Sequence, residues 1–221
     1  MPPFKNALPS RFPANLYTTA LIVMGLLTSA CSPVNILNAV ISDKEYRLNE
    51  GVAYGDSLRQ TLDIYVPKDH LATNTERPDD SQDQTPNTNA TANKRLPVVV
   101  FFYGGSWDSG NRGSYKFIGE AMTSQGFIAV IPDYRVYPEV LFPGFMEDPA
   151  KAAKWVKLHA AEFGGDPERV FLAGHSAGAH IAAMLTLDPE FLAKQNSKPQ
   201  DFAGMIGLAG PYDFLPLKSN R

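Results

Sequence analysis

The sequence predicts an α/β fold with a mostly parallel sheet and helices on both faces. Three observations carry the prediction: apolar runs rich in β-branched residues, segments of helical spacing between them, and the alternation of the two along the chain. Continuous apolar runs of this kind are typical of strands buried on both faces of a parallel sheet. Strands that alternate with helices are typical of β–α–β units.

The predicted elements follow in chain order. Residues 60–66 alternate apolar and polar side chains, which predicts a half-buried strand ended by Pro67. Three buried strands are predicted at residues 96–103, 127–131 and 170–173, and a fourth strand at residues 202–209. The predicted helices cover residues 114–125, 145–163 and 177–187, the second of them ended by the segment at residues 164–167.

Length and composition fit one domain of ordinary globular character. The chain has 221 residues, of which 44% are hydrophobic and 19% charged, and its formal net charge is -3. No basic stripe is present, so nucleic acid is not the expected partner. One cysteine excludes an intrachain disulfide and a cysteine-based zinc site, and no two of the 4 histidines form a metal-ligand motif. We therefore expect no metal and no cofactor.

The N-terminal segment, residues 1–31, predicts a secretory signal. Lys5 and Arg11 precede a short apolar run at residues 20–27, and small residues lead from that run to Cys31. The run is shorter than the ~20 residues that span a bilayer. The segment resembles a bacterial lipoprotein signal, which implies lipid on Cys31 and an outer-membrane lipoprotein, or a periplasmic protein, of a Gram-negative bacterium. The alternative is an ordinary signal peptide with a chance cysteine.

Two further segments are predicted to lie outside the packed core of the domain, which we place at residues 44–221. Residues 32–43 predict a short tether after the cysteine. Residues 70–95 are polar and hold almost no large apolar side chain, so little burial offsets the entropy of ordering them. They predict a flexible surface loop.

A Gly-His-Ser-Ala-Gly motif at residues 174–178 predicts a nucleophilic serine, Ser176. A buried run precedes it and a small-residue helix follows, as on the sharp strand-to-helix turn that exposes a serine hydroxyl above a sheet. Gly174 and Gly178 lack a Cβ, so they can approach each other there. The helix N-terminus adds partial positive charge where an oxyanion forms during attack. The alternative is a glycine- and alanine-rich turn with a buried serine.

A glycine pair follows the first buried strand, in the segment Tyr103–Trp107. A glycine-rich turn at this place can point backbone N–H groups at the carbonyl oxygen of a substrate. Together with the serine turn, it predicts both halves of an oxyanion hole.

Five motifs together resemble the α/β-hydrolase esterases, and are similar to the hormone-sensitive-lipase-like carboxylesterases and the kynurenine-formamidase-like group. They are Tyr103–Trp107, Asp133–Glu139, Asp148–Val156, Gly164–Val170 and Gly174–Gly178. The resemblance covers residues 46–214. It implies hydrolysis of a small carboxylic ester through an acyl-enzyme on Ser176, with an oxyanion hole lined by Gly105, Ser106 and Ala177. An amide or formamide substrate remains an alternative.

The resemblance also assigns scaffold residues and departs from the family at two positions. Asp133, Arg135 and Asp148 are expected to hold the scaffold together. Tyr103 stands where the family usually has His, and Ser106 where it often has Gly. Both departures bear on the geometry of the oxyanion hole and on the size of the substrate.

No histidine in the sequence is placed to act as a base for Ser176. In this fold the chain order is serine, acid, histidine, and only His180 follows the serine. It lies one helical turn further on and is predicted to point away from the hydroxyl. His175 is expected to pack or to line the pocket, and His70 and His159 lie elsewhere.

The sequence also leaves open which carboxylate would act as the acid of the catalytic triad. Asp213, after the last predicted strand, is a candidate, with a structural role as the alternative. The sequence therefore predicts a C-terminally truncated esterase, without the strands that carry acid and base, which is inactive or weak. The alternative is a degenerate hydrolase that acts as a small-molecule-binding surface lipoprotein.

Overall fold

The computed structural model describes residues 38, 41, 45–68 and 95–213. Among these residues, the strands are β1 (Tyr46–Ala53), β2 (Thr61–Pro67), β3 (Leu96–Phe102), β4 (Ile128–Pro132), β5 (Gly165–His175) and β6 (Gly204–Leu208). The α-helices are α1 (Lys116–Thr123), α2 (Glu147–His159), α3 (Ala177–Leu187) and α4 (Pro189–Ala193). Short 3₁₀ turns occupy Arg112–Tyr115, Gly144–Met146, Ala160–Phe163 and Pro199–Asp201.

The strands form one mixed sheet in the order β1-β2-β4-β3-β5-β6. β1 pairs antiparallel with β2, and β2 antiparallel with β4, whereas β4, β3, β5 and β6 are parallel to one another. The chain leaves the central strand β3 toward β4 on one side and later returns to β5 on the other. Because such crossovers are right-handed, α1 covers one face and α2 and α3 cover the other. The predicted mostly parallel α/β sheet is confirmed.

The core lies along β3 and β4. The side chains of Val98 to Phe102 and of Ile128 to Ile131 are at most 4% exposed. Each large apolar side chain buried in this way contributes roughly 1.5–3 kcal/mol. The buried strands predicted from the apolar runs are confirmed, although their ends differ by a few residues and β5 extends from Gly165 to His175.

The prediction that β2 is half-buried is wrong. Asp63 and Tyr65, on its supposed solvent side, are 1% and 0% exposed. β2 lies between β1 and β4, and α1 packs over it: a Cβ added to Gly119 would lie 2.5 Å from the Tyr65 ring. Asp63 tolerates this burial because Arg112 Nε donates to its Oδ1 at 2.7 Å and the Gly51 N–H donates to it at 2.8 Å.

Two elements were missed by sequence reasoning, and the helix ends are only partly as predicted. β1 escapes the strand pattern because a bulge between Asn49 and Val52, with Gly51 at φ 70°, breaks its alternation. α4 is a short helix that begins at Pro189, after the capping residue Asp188. The helix predicted at residues 145–163 is α2 with a 3₁₀ turn at each end, whereas α3 begins and ends where predicted.

Several predictions fall outside the described residues. They are the signal at residues 1–31 with Cys31, most of the tether at residues 32–43, all but the last residue of the polar loop at residues 70–95, and the end of the predicted domain at residues 214–221. Within the tether, Asn38 contacts the domain: its Nδ2 donates to Gly113 O at 3.0 Å and its Oδ1 accepts from Phe117 N at 3.2 Å. The described helices include none long and apolar enough to cross a membrane.

Candidate active site

Ser176 lies on the turn between β5 and α3 with a strained backbone. Its φ of 53° and ψ of -121° fall outside the regions that a serine ordinarily occupies. A residue held in this way costs of order 1–3 kcal/mol, so the surroundings must fix it. They do: the Ser176 N–H donates to Leu208 O at 2.8 Å, and its carbonyl accepts from Ala179 N and His180 N at 3.0 and 3.1 Å.

The two glycines of the motif are required by contact. A Cβ added to Gly174 would lie 2.2 Å from the carbonyl oxygen of Gly178, and one added to Gly178 would lie 2.0 Å from the carbonyl oxygen of Phe102. Both neighbours are backbone atoms, which cannot move without displacing β3 or α3. The close approach predicted for Gly174 and Gly178 is therefore confirmed.

The N-terminus of α3 faces the same place. Ala177 is the first residue of the helix, and the first N–H groups of a helix have no acceptor within it. The aligned peptide dipoles add about half a positive charge at this end. Ala177 is 1% exposed, and Ser176 is half-buried beside it. A donor and a positive potential thus lie next to the serine.

The turn after β3, residues 104–110, contacts the serine turn directly. A Cβ added to Gly104 would lie 3.0 Å from both Ser176 Cβ and His175 O. The contact follows from the register, in which Phe102 of β3 pairs with Gly174 of β5. Carboxyl ends of neighbouring strands, at the point where the chain reverses direction across the sheet, are where α/β sheets bind ligands.

The backbone of this turn is itself unusual. Gly105, Ser106 and Trp107 all have positive φ, at 138°, 50° and 61°. The carbonyl of Gly105 accepts hydrogen bonds from the N–H groups of Asp108 and Ser109, each at 3.0 Å. Gly105 is half-buried and Ser106 is exposed, and both directly follow Gly104, which lies against Ser176.

None of the described histidine side chains forms a hydrogen bond with Ser176, although the His175 ring lies beside Gly104, which also borders the serine. His180 packs edge-on against the Trp107 ring, with centroids 5.3 Å apart, and burial lowers its pKa. His159 stacks on Trp155 at 4.3 Å and pairs with Glu162 at 2.7 Å on the surface of α2. His175 is exposed at the end of β5.

Within residues 45–68 and 95–213, no histidine side chain forms a hydrogen bond with Ser176; the backbone N–H of His180 donates to the Ser176 carbonyl, but its imidazole does not bond to the serine. Asp213 is exposed after β6, and His70 lies outside the described residues. Over the same residues, no three His, Cys, Asp or Glu side chains are grouped closely enough to hold a metal ion.

Comparison with known proteins decides the family. A family model described as BD-FAE matches residues 85–221, which is more than half of the chain. The chain belongs to the BD-FAE family. The match includes both turns that meet at Ser176.

Individual relatives agree with this assignment. A probable isoprenylcysteine alpha-carbonyl methylesterase of Arabidopsis thaliana is 30% identical over 177 residues, which are 77% of this chain and 32% of that protein. Carboxylesterase NlhH of Mycobacterium tuberculosis is 41% identical over 91 residues, or 41% of this chain and 28% of that protein. This chain thus spans about a third of the length of these curated relatives.

Solved structures identify the fold. The apo form of Thermogutta terrifontis esterase 2 superposes with a TM-score of 0.56 and 26% identity, covering 82% of this chain and 62% of that one. The sheet order and this likeness together give the BD-FAE chain an α/β-hydrolase fold, as the sequence predicts.

The residues assigned to the scaffold bind one another within it. Arg135 donates from Nε and Nη2 to the two carboxylate oxygens of Asp148, each at 2.8 Å, and Gln60 Nε2 donates to Oδ1 at 2.6 Å. Burial alone would raise the pKa of Asp148, but these hydrogen bonds hold it below its usual value. Asp133 in turn accepts from Arg112 N and Nη1 at 2.8 and 2.5 Å.

Sequence reasoning missed the side chains that hold the turn at residues 104–110. Arg59, in the connection between β1 and β2, donates to Tyr103 Oη at 3.0 Å and to Gly110 O at 2.8 Å. Tyr115 Oη accepts from Gly104 N at 3.3 Å. No local motif marks Arg59, because its partners lie 44 and 51 residues along the chain.

Proposed function

We propose that this BD-FAE chain acts on carboxylic esters through an acyl-enzyme formed on Ser176. The observation that carries the proposal is the strained backbone of Ser176, held between two glycines against the turn at residues 104–110. Strain of this kind persists where function requires the side chain in one place. Relatives named as esterases, among them the carboxylesterase of Mycobacterium tuberculosis, support the reaction class.

In this mechanism, Ser176 Oγ attacks the carbonyl carbon of the ester while its proton passes to a base. The carbonyl oxygen becomes an oxyanion, which accepts hydrogen bonds from the N–H of Ala177 and from Gly105 or Ser106. The C–O bond to the alcohol then breaks, and the alcohol leaves with the proton. Water attacks the acyl-enzyme in the same way, releasing the carboxylic acid and restoring the serine.

In the turn at residues 104–110, the N–H groups assigned to the oxyanion are those left after Gly104 is excluded. The N–H of Gly104 is already directed at Tyr115 Oη, 3.3 Å away, so it is not available to a substrate. Gly105 and Ser106 follow it at the surface, beside the N-terminus of α3. Backbone N–H groups fixed before the reaction stabilise the transition state without reorganising, and one such donor is worth about 10²–10³ in rate.

The base is the part of the mechanism that the described residues do not supply. A serine hydroxyl is a poor nucleophile at neutral pH without an adjacent base. The side chains of His159, His175 and His180 make no hydrogen bond to Ser176 within the described ranges. We therefore expect the 221-residue chain to turn over esters weakly, at a residual ~10³-fold over water from the oxyanion hole alone.

The test is covalent labelling of the purified chain. Paraoxon phosphorylates Thermogutta terrifontis esterase 2, and peptide mass spectrometry can locate its adduct on this chain. Because the described residues place no base beside Ser176, we expect the adduct to form slowly on this serine and not at all in Ser176→Ala. Ser124→Ala, which removes an exposed serine at the end of α1, should label as wild type does. Equal labelling of Ser176→Ala would overturn the assignment of the nucleophile.

Turnover of p-nitrophenyl acetate tests the second half of the proposal. Ordinary esterase rates from the 221-residue chain, abolished in Ser176→Ala, would show that a base is present after all. Substitution of His70, His159, His175 and His180 one at a time would then identify it.

A second candidate function is favoured by the positions of the histidines. A hydrolase without a base can still bind a small molecule where the two turns meet at Ser176. Saturable binding of a small apolar ester, without a labelled Ser176 and without release of alcohol, would favour this function over hydrolysis.

We also propose a location, from the short apolar run that ends at Cys31. Lipid on Cys31 would anchor the protein to a membrane, since two acyl chains hold a protein stably where one is marginal. Cys31→Ser should move the protein from the membrane fraction to the soluble fraction. A Cys31→Ser protein that stays with the membranes would contradict the anchor.

A further inference from the structure

The turn at residues 104–110 lacks the regular secondary structure that could fix its shape. Ser106 and Trp107 both have positive φ, a conformation that non-glycine residues avoid. Its internal backbone hydrogen bonds converge on one acceptor, the Gly105 carbonyl, and the Ser109 hydroxyl bonds to that carbonyl and to the neighbouring Asp108 carboxylate, so none of these bonds reaches Gly110. Something outside the turn must fix where its two ends lie.

Arg59 joins those two ends. Its Nη2 donates both to Gly110 O, at 2.8 Å, and to the hydroxyl of Tyr103, at 3.0 Å. Tyr103 is the residue before the turn and Gly110 is its last residue. The Nε of the same guanidinium donates to Tyr134 O at 2.8 Å, which ties the pair to the segment after β4.

Tyr103 is fixed on its other side as well. Its hydroxyl donates to Asp133 Oδ1 at 2.8 Å, and its ring is fully buried and stacks on Tyr134 with centroids 4.7 Å apart. A Cβ added to Gly110 would lie 2.7 Å from Cε2 of this ring, so the end of the turn rests on Tyr103. Arg59 therefore closes the turn over a side chain that cannot move.

We propose that Arg59 is a positioning residue, which clamps the turn at residues 104–110 and thereby holds the N–H groups of Gly105 and Ser106 against Ser176. The inference rests on the function proposed for Ser176. It follows from a chain of contacts: Arg59 fixes Gly110 and Tyr103, and Gly104 after Tyr103 contacts Ser176 Cβ. A displacement of 1 Å in a reacting geometry can cost about 10²-fold in rate.

The clamp requires an arginine. The planar guanidinium presents donors in a fixed fork, and here one nitrogen reaches two acceptors while another reaches a third. A lysine is a single point charge on a flexible stem and cannot reach all three acceptors at once. Arg59→Lys should therefore behave as an intermediate between wild type and Arg59→Met.

The experiment compares Arg59→Met and Arg59→Lys with wild type and with Arg169→Met as the matched control. Arg169, like Arg59, is a half-buried arginine that donates several hydrogen bonds, here to Asp166 Oδ2 and Arg95 O, but it lies in the half of β5 away from Ser176. The first measurement is amide hydrogen exchange of the peptide covering residues 104–110. The second is the rate of paraoxon labelling at Ser176, separated into a binding constant and a limiting rate. Urea unfolding identifies conditions under which every variant is folded.

We expect Arg59→Met to lower the limiting labelling rate by 10- to 100-fold, with the binding constant within twofold of wild type. Exchange at residues 104–110 should become faster while that of β3, β5 and α3 is unchanged. A purely structural role for Arg59 would lower the stability and leave the limiting rate of the folded protein unaltered. That outcome, or an equal loss in Arg169→Met, overturns the inference.

The outcome also separates this inference from the proposed function. If the wild-type chain forms no adduct on Ser176, the assignment of this serine as the nucleophile is contradicted. Hydrogen exchange alone would then test whether Arg59 holds the turn at residues 104–110. Faster exchange at residues 104–110 in Arg59→Met supports it, and unchanged exchange refutes it. Equal labelling rates in wild type and Arg59→Met would refute the clamp while the nucleophile stands.

Discussion

The two turns that meet at Ser176 are held in shape by different means. The serine turn, residues 174–178, is fixed by backbone contact: Gly174 lies against Gly178, and Gly178 against the end of β3. The turn at residues 104–110 is held by groups from elsewhere in the chain, among them the Arg59 guanidinium, the Tyr115 hydroxyl and the Tyr137 N–H, which donates to Trp107 O at 2.8 Å. The glycines that the first shape requires thus lie within five consecutive residues, whereas the groups that hold the second turn are scattered along the chain.

The difference has a physical consequence for how each turn fails. A backbone contact at van der Waals distance leaves no room for an added atom, so substitution in the serine turn meets a steep repulsion. A hydrogen bond that is lost leaves its partners in place and costs a graded amount. The serine turn should therefore fail abruptly, and the other turn by steps.

The largest effect is expected from Gly178→Ala. The new methyl carbon would lie 2.0 Å from Phe102 O and 2.5 Å from Tyr103 O, both on the backbone at the end of β3. Relief requires α3 to move away from the sheet, so we expect a loss of about 4 kcal/mol or more in the free energy of unfolding. Urea denaturation followed by circular dichroism measures it.

Gly144→Ala is the control for this prediction, because a methyl group there meets nothing nearer than 3.5 Å. It should change the unfolding free energy by less than about 0.5 kcal/mol. A Gly178→Ala protein with the urea midpoint of wild type would show that the serine turn yields, and the contrast between the two turns would be lost.

The same contrast explains what the sequence could and could not predict. The serine turn and both ends of α3 follow from local pattern, since the glycines, the serine and the small residues of the helix are contiguous. Arg59 could not be found in this way, because nothing near it in the chain indicates Tyr103 or Gly110. The wrong prediction that β2 is half-buried has the same origin. An aspartate at position 63 indicates a solvent-facing side chain, because its partner Arg112 lies 49 residues later in the chain.

A second, smaller effect is expected from Tyr103→Phe, which tests the turn that side chains hold. The substitution keeps the stacked ring but removes a hydroxyl that accepts from Arg59 and donates to Asp133. Both partners keep their own desolvation with one hydrogen bond fewer, which costs about 1–3 kcal/mol. Tyr137→Phe, at a side chain that is 55% exposed, is the control and should cost almost nothing.

The size of the stability loss in Tyr103→Phe shows whether the two turns differ in how they are held. A loss near that of Gly178→Ala would mean that Tyr103 is as indispensable as the glycines, and that the two turns do not differ in kind. A Tyr103→Phe protein as stable as wild type would mean that the hydroxyl does not stabilise the fold. Of the two hydrogen bonds by which Arg59 is proposed to hold the ends of the turn, only the one to Gly110 O would then count.

The smallest expected effect is a loss of stability at alkaline pH. Of the two turns, only the turn at residues 104–110, which rests on Tyr103, should contribute to this loss. Burial, and then the charge of Asp133, raise the pKa of Tyr103 well above its ordinary value near 10. The unfolded chain therefore releases this proton at a lower pH than the folded chain does. The stabilisation is complete below pH 10 and is lost as the pH rises further, at about 1.4 kcal/mol per pH unit for one proton.

Unfolding free energies measured by urea between pH 9 and pH 11 check this last prediction. Other buried tyrosines, including Tyr54, also have a raised pKa, so the wild-type slope is the sum of several protons. Tyr103→Phe should reduce that slope by one proton, whereas Gly144→Ala, which removes no ionisable group, should leave it unchanged. Parallel slopes in wild type and Tyr103→Phe would mean that the phenol ionises in the folded protein as it does in the unfolded chain. The hydroxyl would then not be locked between Arg59 and Asp133, and the turn would need another explanation for its shape.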